Sequence, residues 1–295
     1  MIKKGVYAAG LSILNDDLSL DVKSTILHAE KAIKNGLHGV FFFGSTGQSQ
    51  LISISEKKNL IAQISKHKFR ESFFLGTGNN SLKENIDLIR YAMEYKFHTF
   101  LLMPPAYYTG NTDEGVLEFY KNIINQIPKV KIILYNFKKL SGYEFSIESV
   151  KKLINAYPQN IIGVKDSGYN LFENLKIKNF LVFPGSEAKL LKGLKLECAG
   201  CISAVTNVTH SLARKVFDDF EKEISQSQND KLIAVREVFD CYNLISALHS
   251  FNSNYDNKYK NILPPLKLLS AEKHKELLTK LEKLKFIYNK EVIAA

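Results

Sequence analysis

The sequence predicts an α/β chain folded as a (β/α)8 TIM barrel with a C-terminal helical appendage. Eight short apolar runs, rich in β-branched and aromatic residues, recur between residues 5 and 204. The longer stretches between them repeat apolar residues at three and four, as in Val22-Ile26-Ala29-Ile33 and Ile86-Ile89-Ala92-Met93. After Thr209 the strand signal stops while the helical period continues.

The predicted strands cover residues 5–10, 39–43, 72–76, 99–103, 131–135, 161–165, 180–183 and 199–204. They are apolar throughout rather than alternating, which fits a parallel sheet buried on both faces. Eight such units within residues 1–225 favour a closed barrel over an open doubly wound sheet. No Gly-x-Gly-x-x-Gly follows the first strand, which argues against a dinucleotide fold. Ser53 lies three residues before Glu56 and Ser81 three before Glu84, the spacing of a capping box, and Ser146 with Glu148 marks a weaker helix start. Residues 226–295 read as two or three helices packed on the barrel, interrupted by the polar run 252–257 and by Pro264-Pro265.

Composition narrows the function classes. The 295 residues are 45% hydrophobic and 24% charged, ordinary values for a cytosolic globular protein. No apolar run is long enough to span a bilayer, and the first residues carry no secretory pattern, so a cytoplasmic location is expected. The net charge of +10 comes from lysines spread over helical faces, without a nucleic-acid motif. Cys198 and Cys201 have CxxC spacing but no nearby ligand-spaced histidines, so they read as small buried hydrophobes and not as a metal or redox centre.

Catalytic groups of such a barrel project from the C-terminal strand ends. Those ends carry Gly44-Ser45-Thr46-Gly47, Tyr107-Tyr108, Tyr135-Asn136, Lys165-Asp166-Ser167 and Gly185-Ser186-Glu187. Lys165 closes the apolar run Ile161-Ile162-Gly163-Val164, so its amine would point into the barrel mouth, where a neutral amine attacks a ketone. On strand position alone a snorkelling or salt-bridged lysine fits equally well. Tyr135 alone could be a core residue, and Glu187 an exposed acid at a helix start.

Taken in order, these motifs resemble the dihydrodipicolinate synthase and N-acetylneuraminate lyase superfamily of pyruvate-dependent class I aldolases. The resemblance runs from about Gly5 to Val208 and rests on Gly44-Ser45-Thr46-Gly47, Gly76-Thr77-Gly78, Tyr107-Tyr108 with Glu114-Gly115, Tyr135-Asn136 with Ser141-Gly142, and Gly163-Val164-Lys165-Asp166-Ser167. It implies a Schiff base between Lys165 and pyruvate or another 2-keto acid, with Tyr135 as proton shuttle and Ser45 relaying between Tyr135 and Tyr108. Tyr108 would come from a neighbouring subunit of a dimer or tetramer. Ser45, Thr46, Gly185, Glu187 and Ser203 would bind substrate, with no metal or organic cofactor.

Departures from the family pattern bear on the substrate. Gln48 stands where glutamate is usual, Lys138 where proline is, and Leu140 where the synthases carry an arginine for the aldehyde's carboxylate. Losing that bidentate clamp argues against the synthase. Ala188 and Ala204 replace polar residues of the neuraminate lyases, so the expected reaction is reversible aldol cleavage of a 2-keto-3-deoxy sugar acid or an N-acetylneuraminate-like substrate, with the smaller sugar acid favoured. The synthase reaction is the runner-up, and a non-catalytic keto-acid-binding barrel is the alternative from another class.

Overall fold

The computed structural model describes residues 2–286. Its eight strands are β1 (Gly5–Ala9), β2 (Gly39–Phe42), β3 (Phe73–Gly76), β4 (Thr99–Leu102), β5 (Lys131–Asn136), β6 (Ile161–Asp166), β7 (Leu181–Pro184) and β8 (Gly200–Ser203). Each of the eight predicted runs contains one of them, to within a residue at the ends. All pairings are parallel, in the order β7-β6-β5-β4-β3-β2-β1-β8. The ring is drawn together where the Ala199 N–H donates to the Val182 carbonyl at 2.8 Å, setting the start of β8 against β7. At the β1–β8 seam Gly200 has φ +129°, and a Cβ there would lie 1.8 Å from the Gly5 carbonyl oxygen. Only glycine permits that approach.

Inward side chains fill the barrel. Tyr7 meets the rings of Phe41, Phe74 and Phe183 edge-on, with centroids 5.6–5.9 Å apart. Leu101, Ile133 and Ile202 complete this layer, which forms a packed floor and not a pore. A larger core lies between the strands and the surrounding helices α1 (Val22–Lys34), α2 (Ile54–Ile64), α3 (Leu82–Glu94) and α4 (Asp113–Gln126), whose apolar stripes face inward. Ser53 forms the full capping box with Glu56, and Ser81 accepts from the Glu84 N–H. Further on come α5 (Lys138–Ser141), α6 (Ile147–Ala156), α7 (Leu190–Lys195) and α8 (Thr206–Glu221). Ser146 caps α6, and Ser149 closes that box instead of Glu148.

The regular alternation breaks once. Between β6 and β7 there is no helix. The fully buried Asp166 instead gathers the chain, accepting from the N–H groups of Tyr169, Leu171 and Phe172 at 2.9 Å and from the Asn136 amide at 2.8 Å. Tyr169 takes a left-handed φ of 63° in this turn. One carboxylate thus satisfies three donors that a helix would have paired internally.

Past α8, the appendage consists of α9 (Asn229–Asp240), α10 (Leu244–Ser253) and α11 (Ala271–Lys283). Phe239, Leu248, Phe251, Leu277 and Leu281 form a second core that takes in Leu11, Ile13, Val205 and Val208 from the barrel. The last part of the 226–295 span, residues 287–295, lies outside the described residues.

Candidate active site

A cavity of about 1150 Å³ opens at the C-terminal ends of the strands. Its wall includes Ser45 and Thr46 after β2, Tyr135 on β5, Lys165 on β6 and Gly185 after β7. Tyr135 and Lys165 are register partners on adjacent strands, and Lys165 pairs in turn with Phe183. Tyr135 lies two residues beyond Ile133, on the same inward face, so both side chains stand directly above the aromatic floor.

Lys165 is 3% exposed, and its Nζ lies 4.0 Å from the centroid of the Tyr135 ring. No carboxylate of the described residues forms a salt bridge with it. Tyr135 extends its hydroxyl to Ser45 Oγ at 3.0 Å, so the amine lies over the face of a phenol that is itself hydrogen-bonded to the alcohol. That contact needs an unusual backbone. The loop Gly44–Gly47 is flanked by two non-glycine residues at positive φ, Phe43 at 61° and Gln48 at 54°. Local strain of this kind persists only where the surroundings enforce it. Gln48 does so through its side chain, which accepts from the Leu263 N–H at 2.8 Å and reaches His249 Nε2 at 3.4 Å. Ser12 Oγ donates to the Gly47 carbonyl at 2.7 Å. The appendage and the first strand's exit therefore hold the loop from two sides.

A second brace lies behind the loop after β3. Lys57 is fully buried, and its ammonium donates to the Thr77 carbonyl at 2.9 Å and to Asn79 Oδ1 at 2.8 Å. Burial without a carboxylate contact pushes its pKa down to about 8.

Two of the expected substrate-binding residues sit elsewhere. Glu187 is fully buried, contrary to the reading of an exposed helix-start acid, and neither it nor Ser203 lines the cavity. Ser203 Oγ donates to Glu187 Oε2, Thr209 Oγ1 donates to Oε1 at 3.2 Å, and Arg236 Nη1 donates to Glu187 Oε2 and Ser203 Oγ at 3.0 Å each. Arg236, on α9, lines the cavity in their place and also donates from Nε to Asp240 Oδ1 at 2.9 Å. Burial alone would depress the guanidinium's pKa, but the carboxylates of Glu187 and Asp240 outweigh it and hold the group above its ordinary value. Arg236 escaped the sequence reading because nothing in α9 distinguishes it from a surface arginine. The available signal was Glu187, an acid following a barrel strand, which needs a cation once buried.

Tyr108 is 74% exposed and Tyr107 85%, and neither borders this chain's own cavity. Tyr107 is held at φ 83°, which turns the pair outward. Leu140 does line the cavity, where it is 42% exposed. The CxxC cysteines are buried, and burial pushes the Cys198 thiol up to about 11. Among the described residues no cluster of three or more His, Cys, Asp or Glu could hold a metal ion, and no helix is long and apolar enough to cross a membrane.

A model of the Dihydrodipicolinate synthetase family matches residues 3–284. The chain belongs to that family. Its members are pyruvate-dependent lyases, and this chain is a lyase of that kind. The uncharacterized DapA-like lyase of Chloroflexus aurantiacus is 28% identical over 254 residues, covering 83% of this chain and 84% of its own. The 4-hydroxy-tetrahydrodipicolinate synthase of Methanothrix thermoacetophila is 30% identical over 211 residues, 70% of each chain. Among solved structures, the dihydrodipicolinate synthase of Agrobacterium tumefaciens superposes with a TM-score of 0.87 at 23% identity, over 96% of this chain and 99% of that one. YagE of E. coli K12, solved in complex with pyruvate, gives 0.88 at 21% identity, over 97% of this chain and 100% of that one. At these identities the two structures bear on the fold.

Proposed function

We propose that Lys165 forms an imine with pyruvate and that the enzyme adds or removes pyruvate at an aldehyde, acting on a 2-keto-3-deoxy sugar acid. The observation that carries this reading is the buried Lys165 amine lying over the Tyr135 ring, whose hydroxyl bonds Ser45, in the cavity wall. The lysine amine attacks the ketone carbon, water leaves, and the cationic imine then accepts the electron pair released when a C3 proton departs. The resulting enamine carbon attacks an aldehyde, and hydrolysis frees Lys165. Tyr135, hydrogen-bonded to Ser45, moves protons to and from the carbinolamine and the aldol oxygen. Ser45 and Thr46 hold the keto-acid carboxylate, fixing C3 toward the incoming aldehyde.

The exposed Tyr107, Tyr108, Leu51 and Leu140 support association with a second copy of the chain at the cavity mouth, with Tyr108 completing the neighbour's proton relay. The synthase reaction is the second reading, favoured by the names of several curated relatives, among them those of Methanothrix thermoacetophila and Methanococcoides burtonii. Leu140 weighs against it, since an apolar side chain cannot clamp the aldehyde's carboxylate.

The test is borohydride reduction in the presence of pyruvate, read by intact mass and peptide mapping. A reduced adduct on Lys165, absent from Lys165→Ala, is expected. A folded, pyruvate-binding protein that yields no adduct refutes the imine. Fast condensation of pyruvate with aspartate semialdehyde would replace the sugar-acid reading with the synthase.

A further inference from the structure

We infer that the appendage supplies the substrate-tail subsite of this enzyme, and that Arg236 and Asp240 on α9 select an uncharged, hydroxylated tail on the aldehyde portion. The inference rests on the aldol reading of the site and assigns the end of the substrate that Lys165 does not hold. Neither residue belongs to a barrel strand end, yet both line the same cavity as Lys165.

A guanidinium has five N–H groups. Arg236 uses three: Nε donates to Asp240 Oδ1, and Nη1 donates to both Glu187 Oε2 and Ser203 Oγ. No hydrogen bond within the described residues involves Nη2, nor Asp240 Oδ2. Two donors and one acceptor are thus left on hydrogen-bonded neighbours that both line the cavity, on a guanidinium plane locked by three bonds. A hydroxyl, which donates and accepts, satisfies both kinds of group at once, and adjacent hydroxyls do so best. Tyr169 also lines this stretch of the cavity and contributes a further polar group.

The local charge at Arg236 disfavours an anionic tail there. Arg236 carries one positive charge and contacts two carboxylates, Glu187 and Asp240, so the group is net negative by one. A phosphate or carboxylate approaching Nη2 would meet Asp240, whose side chain is 48% exposed. A structural role accounts for the contacts of Arg236 with Glu187 and Asp240 but not for the polar groups left over. A buried ion pair rarely stabilises more than well-packed apolar residues would, and the i,i+4 pairing of Arg236 with Asp240 on α9 leaves the second carboxylate oxygen without a hydrogen bond among the described residues.

The experiment compares pyruvate addition to hydroxylated aldehydes (glyceraldehyde, erythrose) with addition to their deoxy counterparts (propanal, butanal) and to glyceraldehyde 3-phosphate, in wild type and in Asp240→Ala. Asp240 is half exposed, so the variant is expected to fold, which circular dichroism checks. The wild type should prefer the hydroxylated aldehydes, and Asp240→Ala should lower that preference about tenfold, carried by KM, as the loss of one polar contact predicts. An unchanged preference overturns the inference. So does a wild type that favours the phosphorylated aldehyde, which would give the tail to Lys138 and Lys139. Formation of the borohydride-trapped pyruvate adduct without addition to any hydroxylated aldehyde overturns the subsite and leaves the imine standing, whereas no adduct at all removes the underlying reading.

Discussion

Replacing Arg236 with methionine should destabilise the protein far more than an ordinary helix substitution. Glu187 has no exposure to solvent, and its carboxylate is held by Ser203, Thr209 and Arg236, of which only Arg236 carries charge. Arg236→Met keeps most of the side-chain volume but leaves a buried carboxylate facing two hydroxyls and no cation. Stranding one member of a buried pair costs roughly 3–5 kcal/mol. For a chain of this length each kcal/mol moves Tm by about 2 °C, so a drop of about 6–10 °C is expected in calorimetry at neutral pH. Adding Glu187→Gln to that variant removes the stranded charge and should recover at least half of the loss. A single variant melting within about 2 °C of wild type, or a double variant no better than the single, would refute the assignment of Arg236 as the counter-charge of Glu187.

Other outcomes follow from the same geometry. Tyr135→Phe should keep pyruvate binding while lowering turnover roughly 100- to 10,000-fold, the usual worth of a positioned proton carrier, as steady-state kinetics will show. Tyr108→Phe should lower kcat in the assembled protein, and sedimentation should find more than one copy per particle; equal loss in a monomer would contradict a cross-subunit role. Acid should unfold the protein early. Burial pushes His28 and His249 down to about 4 and His210 down to about 3, so their contribution to stability is complete above the unfolded value near 6.5 and is lost as pH falls toward 4. Urea titrations at descending pH should show each costing about 1.4 kcal/mol per pH unit in that window, and a flat profile would contradict the assignment.

The sequence made the barrel legible because its strands are buried on both faces, and burial writes itself as unbroken apolar runs. Helix starts were readable for the same local reason, since Ser53 and Ser81 act within one turn of their partners. What stayed hidden either leaves no periodic signal or depends on distance along the chain. The helix missing between β6 and β7 follows from one carboxylate, Asp166, collecting three backbone donors, and no periodicity announces that. Glu187 and Ser203 stand at strand ends where substrate contacts are expected, but Arg236, far along the chain, occupies the position facing the cavity. The strained φ values at Phe43 and Gln48 were equally invisible, because the groups that enforce them lie on the appendage and after β1.

The aromatic floor beneath Lys165 has a kinetic consequence. With the rings of Tyr7, Phe41, Phe74 and Phe183 closing the barrel below, the site opens, among the described residues, toward the C-terminal strand ends. A small molecule bound against Lys165 lies at the dead end of that passage, and anything longer lies between it and solvent. Arrival and departure share that opening. On the proposed aldol reading the keto acid stays tethered to Lys165 after the carbon–carbon bond breaks, so in the cleavage direction the tail fragment, nearer the opening, leaves first.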